Sequence, residues 1–107
     1  MYSFIELAPF SRYRDDYFTD DELANLQRLL IDNPKVGDVI PGTGGVRKLR
    51  WSRRGTGKRG GVRVIYFVQD TKGRIWFLTV YGKSDRENIA AKTLKMLREI
   101  AEHAEID

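Results

Sequence analysis

Val62-Arg63-Val64-Ile65-Tyr66-Phe67-Val68-Gln69, then Asp70-Thr71-Lys72-Gly73, then Arg74-Ile75-Trp76-Phe77-Leu78-Thr79-Val80-Tyr81 is the stretch that decides the fold. In its first segment Val62, Val64, Tyr66 and Val68 alternate with Ile65 and Phe67, so a strand here is apolar on both faces and must be central and covered. Asp70 to Gly73 has the composition of a tight turn, and a second apolar strand follows. The reading is an antiparallel hairpin, with Gly82-Lys83 ending its second strand. Arg63 is the exception inside it, a cation at the start of the central strand, where it can still reach solvent.

Working back toward the N-terminus, Val46 to Arg63 holds eight basic side chains and no acidic one. Val46 to Trp51 alternates as a strand, with Lys48 and Arg50 on one face and Leu49 and Trp51 on the other. Arg54 to Gly61 is a glycine-spaced loop. The cations are therefore expected on a sheet and on a loop at its mouth. A mononucleotide-binding loop is rejected: around Gly57-Lys58 the position that should be glycine is Ser52, and the residue after the lysine is Arg59. Lys35 to Gly45 reads as loop, ending Pro41-Gly42-Thr43-Gly44-Gly45.

The first third supplies a short strand over Tyr2 to Leu7, at a sheet edge, and two helices. In the first helix Pro9 suits the opening position, and Phe10, Tyr13 and Tyr17 form an apolar stripe. In the second, Thr19-Asp20-Asp21-Glu22 is a capping box; Leu23, Leu26 and Leu30 point inward with Ile31 beside them, and Asn33-Pro34 stops it. Past the hairpin, Ser84-Asp85-Arg86-Glu87 is a second capping box. A C-terminal helix then carries Ala90, Leu94, Leu97, Ala101 and Ala104 at helical spacing. The whole is one α+β domain over residues 1–107: a small antiparallel sheet with a mixed edge, two N-terminal helices and one C-terminal helix.

Composition narrows the chemistry. With no cysteine and one histidine, His103, neither a thiolate nor a histidine metal cluster can be assembled, and Ser-His-Asp chemistry is disfavoured. No cofactor or metal is expected. Met1 to Leu7 has no signal-peptide character, and no window is apolar enough for a membrane span. The net charge of +4 conceals an uneven distribution. Residues 1–40 carry four basic and eight acidic groups, residues 41–83 eleven and one, and residues 84–107 four and six. One cationic face of this kind suits nucleic acid or an acidic protein.

If the partner is RNA and the domain an enzyme, a 2′-hydroxyl attacks the neighbouring phosphate. That needs a proton acceptor, a proton donor for the leaving oxygen, and positive charge on the phosphorane. Arginine stays charged, so Arg50, Arg59 and Arg63 suit electrostatic work. Lysines crowded among arginines lose protons more readily, so Lys48, Lys58 and Lys83 are the proton-carrier candidates. Binding without catalysis uses the same platform.

Gly42-Thr43-Gly44-Gly45-Val46-Arg47-Lys48-Leu49-Arg50, then Gly57 to Phe67, then Leu78-Thr79-Val80-Tyr81-Gly82-Lys83 resembles the RelE/HigB toxin superfamily, most closely its HigB-like branch with a long basic loop. The helix bearing Phe10, Tyr13 and Tyr17 and the Asn33-Pro34 stop agree, so the resemblance spans nearly the whole chain. It implies a RelE-like fold and the toxin of a type II toxin–antitoxin pair in the bacterial cytoplasm. The implied activity is a metal-independent, ribosome-dependent endoribonuclease that cuts translated mRNA in the A site.

By the same resemblance Lys48 and Arg50 match two cations on the strand before the loop, and Arg63 the arginine opening the central strand. Lys83 matches a basic residue after the last strand, with Ser84 as the alternative register. Where RelE places a catalytic tyrosine early in its C-terminal segment, this chain has Ile89 and its neighbours; Tyr81 is the nearest tyrosine in sequence, and Lys58 and Lys83 are the alternatives as proton acceptor. The catalytic set is then Lys48, Arg50, Lys58, Arg63 and Lys83, with Arg47, Arg53, Arg54, Arg59, Tyr81 and Arg86 contacting RNA or ribosome. The implied partners are the 70S ribosome, mRNA and a cognate antitoxin, expected to be a helix-turn-helix protein through which DNA is reached only indirectly. The competing readings are a non-catalytic RNA- or ribosome-binding module and an inactive, antitoxin-binding domain.

Overall fold

The computed structural model describes residues 1–52, 61–84 and 89–106. Its elements run β1 (Ser3–Glu6), α1 (Ala8–Tyr17), α2 (Asp20–Asp32), β2 (Asp38–Val39), β3 (Arg47–Ser52), β4 (Gly61–Gln69), a 3-10 turn (Asp70–Lys72), β5 (Arg74–Gly82) and α3 (Ala91–His103). The strands form one sheet in the order β1-β5-β4-β3-β2. The three inner pairings from β2 to β5 are antiparallel, and β1 joins β5 in parallel, which makes the edge mixed as expected. No helix among the described residues is long and apolar enough to cross a membrane.

The two-sided apolar pattern of β4 is explained by two cores. On one face α1 and α2 bring Phe10, Leu23, Leu26 and Leu30 against Val62, Val64, Tyr66, Ile75 and Phe77. Phe10 stacks on Phe77 with ring centroids 4.5 Å apart. On the other face Leu94 and Ala101 of α3 cover Ile65, Phe67, Trp76 and Leu78. Burial of this kind contributes about 25 cal/mol per Å² of apolar surface, so both helical layers matter to the stability of β4.

Local signals set most boundaries. The Thr19 hydroxyl accepts from the Glu22 amide at 3.1 Å while Glu22 Oε1 accepts from the Thr19 amide at 2.9 Å, so the capping box starts α2 as expected. Four expectations need correction. Tyr13 leaves the apolar stripe of α1: it is 42% exposed, with the Arg12 guanidinium 5.5 Å above its ring. Ile31 is 48% exposed rather than inward, because Leu23, Leu26 and Leu30 already fill the buried side of α2. The segment Lys35 to Gly45 is not all loop, since β2 pairs Asp38 with Lys48 and Val39 with Arg47. The last helix starts at Ala91 without a side-chain cap, and Ser84 lies in a turn ahead of it; the rest of the second capping box, Asp85 to Glu87, lies outside the described residues.

The segment between α2 and β3 has few apolar residues, so its backbone is held by polar staples. The buried Tyr66 hydroxyl donates to the Pro34 carbonyl at 2.7 Å and accepts from the Gly37 amide at 2.9 Å. Arg47 Nη1 donates to the carbonyls of Gly37 at 2.7 Å and Lys35 at 3.1 Å. At the far end Thr43 Oγ1 donates to the Ile40 carbonyl at 2.6 Å and accepts from the Val46 amide at 3.1 Å. Gly37 is required by close approach: a Cβ there would lie 2.8 Å from Tyr66 Cε1 and 3.1 Å from the Lys48 carbonyl oxygen.

Three predictions follow from these staples. Tyr66→Phe leaves the buried Gly37 amide and Pro34 carbonyl without their partner, and is expected to cost roughly 1–3 kcal/mol in urea unfolding; an unchanged midpoint would show that the hydroxyl does not hold the segment. Burial, the larger influence, raises the Tyr66 pKa above its ordinary value, against an opposing hydrogen bond from Gly37. The stability tied to the neutral phenol is therefore full below the unfolded value of about 10 and is lost as pH rises through the folded one. The Phe variant should lack that alkaline limb. Gly37→Ala should destabilise through the clash with Tyr66, and the double variant with Tyr66→Phe should lose less than the sum of the two single losses.

Candidate active site

Strand register brings the cations together. Arg50 of β3 faces Arg63 of β4, and Arg63 faces Tyr81 of β5, so these three make one row across the sheet. The neighbouring row is Lys48, Ile65 and Thr79. Lys48 and Arg50, two residues apart on one strand, project from the same face roughly 7 Å apart. Because Ile65 and Phe67 of that face pack under α3, the row lies on the α3 side of the sheet, near the end where β3 stops and β4 begins.

Tyr81 reaches this row through an irregularity in β5. Tyr66 pairs with Phe77 and Ile65 with Thr79, so Leu78 is an extra residue in β5. The bulge re-phases the strand: Val80 points into the α1/α2 core and Tyr81 to the α3 side, opposite Arg63. Tyr81 is only 6% exposed. It underlies the site beside Arg63 and does not present an open ring face for a base.

Gly61 is the corner of the site. A Cβ at this position would lie 3.2 Å from Arg63 Nη1, so the guanidinium is folded back over the start of β4. The Gly61 carbonyl accepts from the Lys83 amide at 3.0 Å, which carries the β4–β5 ladder one step past β5 and fixes Lys83 at the same corner. Arg50 and Lys83 are exposed, and Lys48 and Arg63 half-buried. Among the described residues none of these four cations makes an ion pair. Like charges placed directly across a strand pair are destabilising, so Arg50 opposite Arg63 is a cost that a bound anion would offset. Unpaired guanidinium and ammonium groups on neighbouring strands can bind a phosphate and stabilise added negative charge on it.

Of the other residues singled out in the sequence, Arg47 has its guanidinium engaged with the carbonyls of Lys35 and Gly37, on the opposite face from Lys48. Arg53, Arg54, Lys58, Arg59 and Arg86 lie outside the described residues. One feature escaped sequence reasoning. A groove of about 480 Å³ opens beside β3, walled by residues 36–41 and by Lys48, Leu49 and Arg50. Asp38, the cross-strand partner of Lys48, lines it. Only the pairing of β2 with β3 reveals this, and two residues carry no periodic signal.

The sequence profile of the family described as the RelE toxin of the RelE / RelB toxin-antitoxin system matches residues 10–106. Among solved structures the chain is similar to the E. coli toxin RelE, in a double arginine-to-alanine mutant in the free state. The TM-score is 0.60 at 16% identity, over 91% of this chain and 96% of that one. At that identity the likeness carries the fold, an α+β arrangement of three helices and a five-stranded mixed sheet. The profile match is broader in meaning, because it takes in most of α1 and every later element, and a family defined by a toxin–antitoxin system implies an antitoxin as partner. This chain belongs to the RelE toxin family.

Proposed function

We propose that this toxin is a ribosome-dependent endoribonuclease that cuts translated mRNA in the A site, without a metal ion, by attack of a 2′-hydroxyl on the adjacent phosphate. The observation that carries the reading is the row of Arg50 and Arg63, with Lys48 beside it and Lys83 at its corner, all without an ion-pair partner among the described residues. In the reaction the 2′-oxygen forms a bond to phosphorus, the bond from phosphorus to the 5′-oxygen breaks, and a cyclic phosphate and a 5′-hydroxyl result. The 2′-hydroxyl proton must leave and one must reach the 5′-oxygen. Arg50 and Arg63 hold the non-bridging oxygens and take up the charge that grows on them. The proton carriers come from Lys48, Lys58 and Lys83, of which Lys48 stands on a rigid strand next to Arg50.

Ribosome dependence suits a site with no histidine. Substrate held in place by rRNA supplies orientation, a large part of the barrier reduction in an intramolecular attack. The cations Arg53, Arg54, Lys58, Arg59 and Arg86 are assigned to contacts with ribosome and mRNA, and the working toxin to the bacterial cytoplasm. Tyr81, beneath the row, supports Arg63. A cognate antitoxin, acidic where it meets this face and carrying its own helix-turn-helix, would silence the toxin and give the pair its only route to DNA.

Primer extension on mRNA translated in the presence of the toxin tests this. Wild type is expected to yield discrete new 5′ ends inside codons, absent when translation is blocked. Arg63→Ala should slow cutting by roughly 10²–10³-fold, the usual loss for one electrostatic donor, and Lys48→Ala by at least as much, with thermal unfolding unchanged in both. Cutting at the wild-type rate by both variants would sink the assigned site. Binding to ribosomes should also weaken steeply between about 50 and 200 mM salt, as for any complex built on phosphate neutralisation.

A further inference from the structure

The groove beside β3 has a use that the phosphate site alone does not explain. Its wall is preformed: residues 36–41 are stapled at one end by Tyr66 and Arg47 to Gly37, and at the other by Thr43 to Ile40 and by the Ile40 amide to the Val46 carbonyl at 2.8 Å. Val36, Val39, Ile40 and Pro41 give it apolar surface, and its volume falls within the roughly 300–1,000 Å³ of small-ligand sites. Lys48 and Arg50, two of the phosphate-site cations, line the same groove. Asp38 is exposed and, among the described residues, its carboxylate makes neither hydrogen bond nor ion pair, even though it is the cross-strand partner of Lys48. It brings a negative charge to a face that otherwise selects anions, so its role is not to attract phosphate.

We infer that this groove is a nucleobase subsite, in which Asp38 accepts hydrogen bonds from the amino edge of the base whose phosphate rests on Lys48 and Arg50. The inference rests on the RNA-cleaving reading above and deepens it. An unstacked base needs an apolar surface for its face and polar groups for its edge, and the groove offers both. An ionised carboxylate only accepts. Guanine presents two adjacent donors, N1–H and the N2 amino group, and so matches it best. Cytosine and adenine each offer one amino group, whereas uracil offers a single N3–H flanked by two carbonyl oxygens that the carboxylate repels, and is disfavoured. Asp38 is in this sense a specificity-determining residue, and cleavage chemistry does not pass through it.

Two readouts test this together. Translated reporters that differ only in the nucleotides of one codon should show a position where wild type prefers guanine over uracil by roughly ten-fold or more, the scale of a good bidentate base contact. Asp38→Asn and Asp38→Ala should flatten that preference while still cutting the uracil reporter. In parallel, 5′-GMP titrated into the free protein should shift the amide signals of residues 36–41 and 48–50 more than 5′-UMP does, and Asp38→Ala should abolish the difference. A wild-type enzyme that cuts without base preference, or a preference untouched in both Asp38 variants, overturns the inference. A wild type that cuts no translated mRNA overturns the ribonuclease reading instead; the nucleotide titration then decides the subsite, and equal shifts from GMP and UMP reject it.

Discussion

Arg50 and Arg63 face each other across β3 and β4, and a pair of like charges at that distance would separate if the strands were free to slip. They are held because the six residue pairs of this ladder have no other register available. A slip of one residue would turn Arg63 into the α1/α2 core and expel Val62, Val64 and Tyr66 from it. The burial of β4 on both faces is thus what keeps the two arginines opposite each other. Stability from the cores offsets this local repulsion.

Two secondary devices refine that arrangement. The bulge at Leu78 turns Tyr81 under Arg63, and the Lys83 amide on the Gly61 carbonyl ties the end of β5 to the start of β4. Outside the sheet, Tyr66 extends from the core to pin Pro34 and Gly37, and Arg47 grips the same turn from β3. One buried hydroxyl thereby links the α1/α2 core to the wall of the groove that runs beside Lys48 and Arg50. Packing, register and the shape of the cationic face are coupled through few residues.

Much of this is legible in the residues themselves. Alternation along Val46 to Trp51 separates Lys48 and Arg50 from Leu49 and Trp51, and two-sided apolarity identifies β4, so the periodicity alone places the strand-borne cations. What escapes depends on tertiary pairing. Arg47 looks like one more RNA contact until its guanidinium is found on two carbonyls. Nothing in Tyr81 signals that a bulge buries it, and Tyr13 and Ile31 have the right spacing for cores already filled by Phe10 and by Leu23, Leu26 and Leu30. Asp38 counts among the acidic residues of the first third, yet the short β2 carries it to the edge of the cationic face. Arg53, Arg54, Lys58 and Arg59 lie outside the described residues.

The most direct measurement is the chemistry of the ends on mRNA recovered from translating ribosomes incubated with the purified toxin and a metal chelator at a level that leaves the ribosomes intact. Attack by the 2′-hydroxyl with arginine and lysine assistance requires a 2′,3′-cyclic phosphate on the upstream fragment and a 5′-hydroxyl on the downstream one, both falling within the A-site codon. A 5′-phosphate on the downstream fragment, or uncut mRNA on ribosomes that hold the toxin, would contradict it.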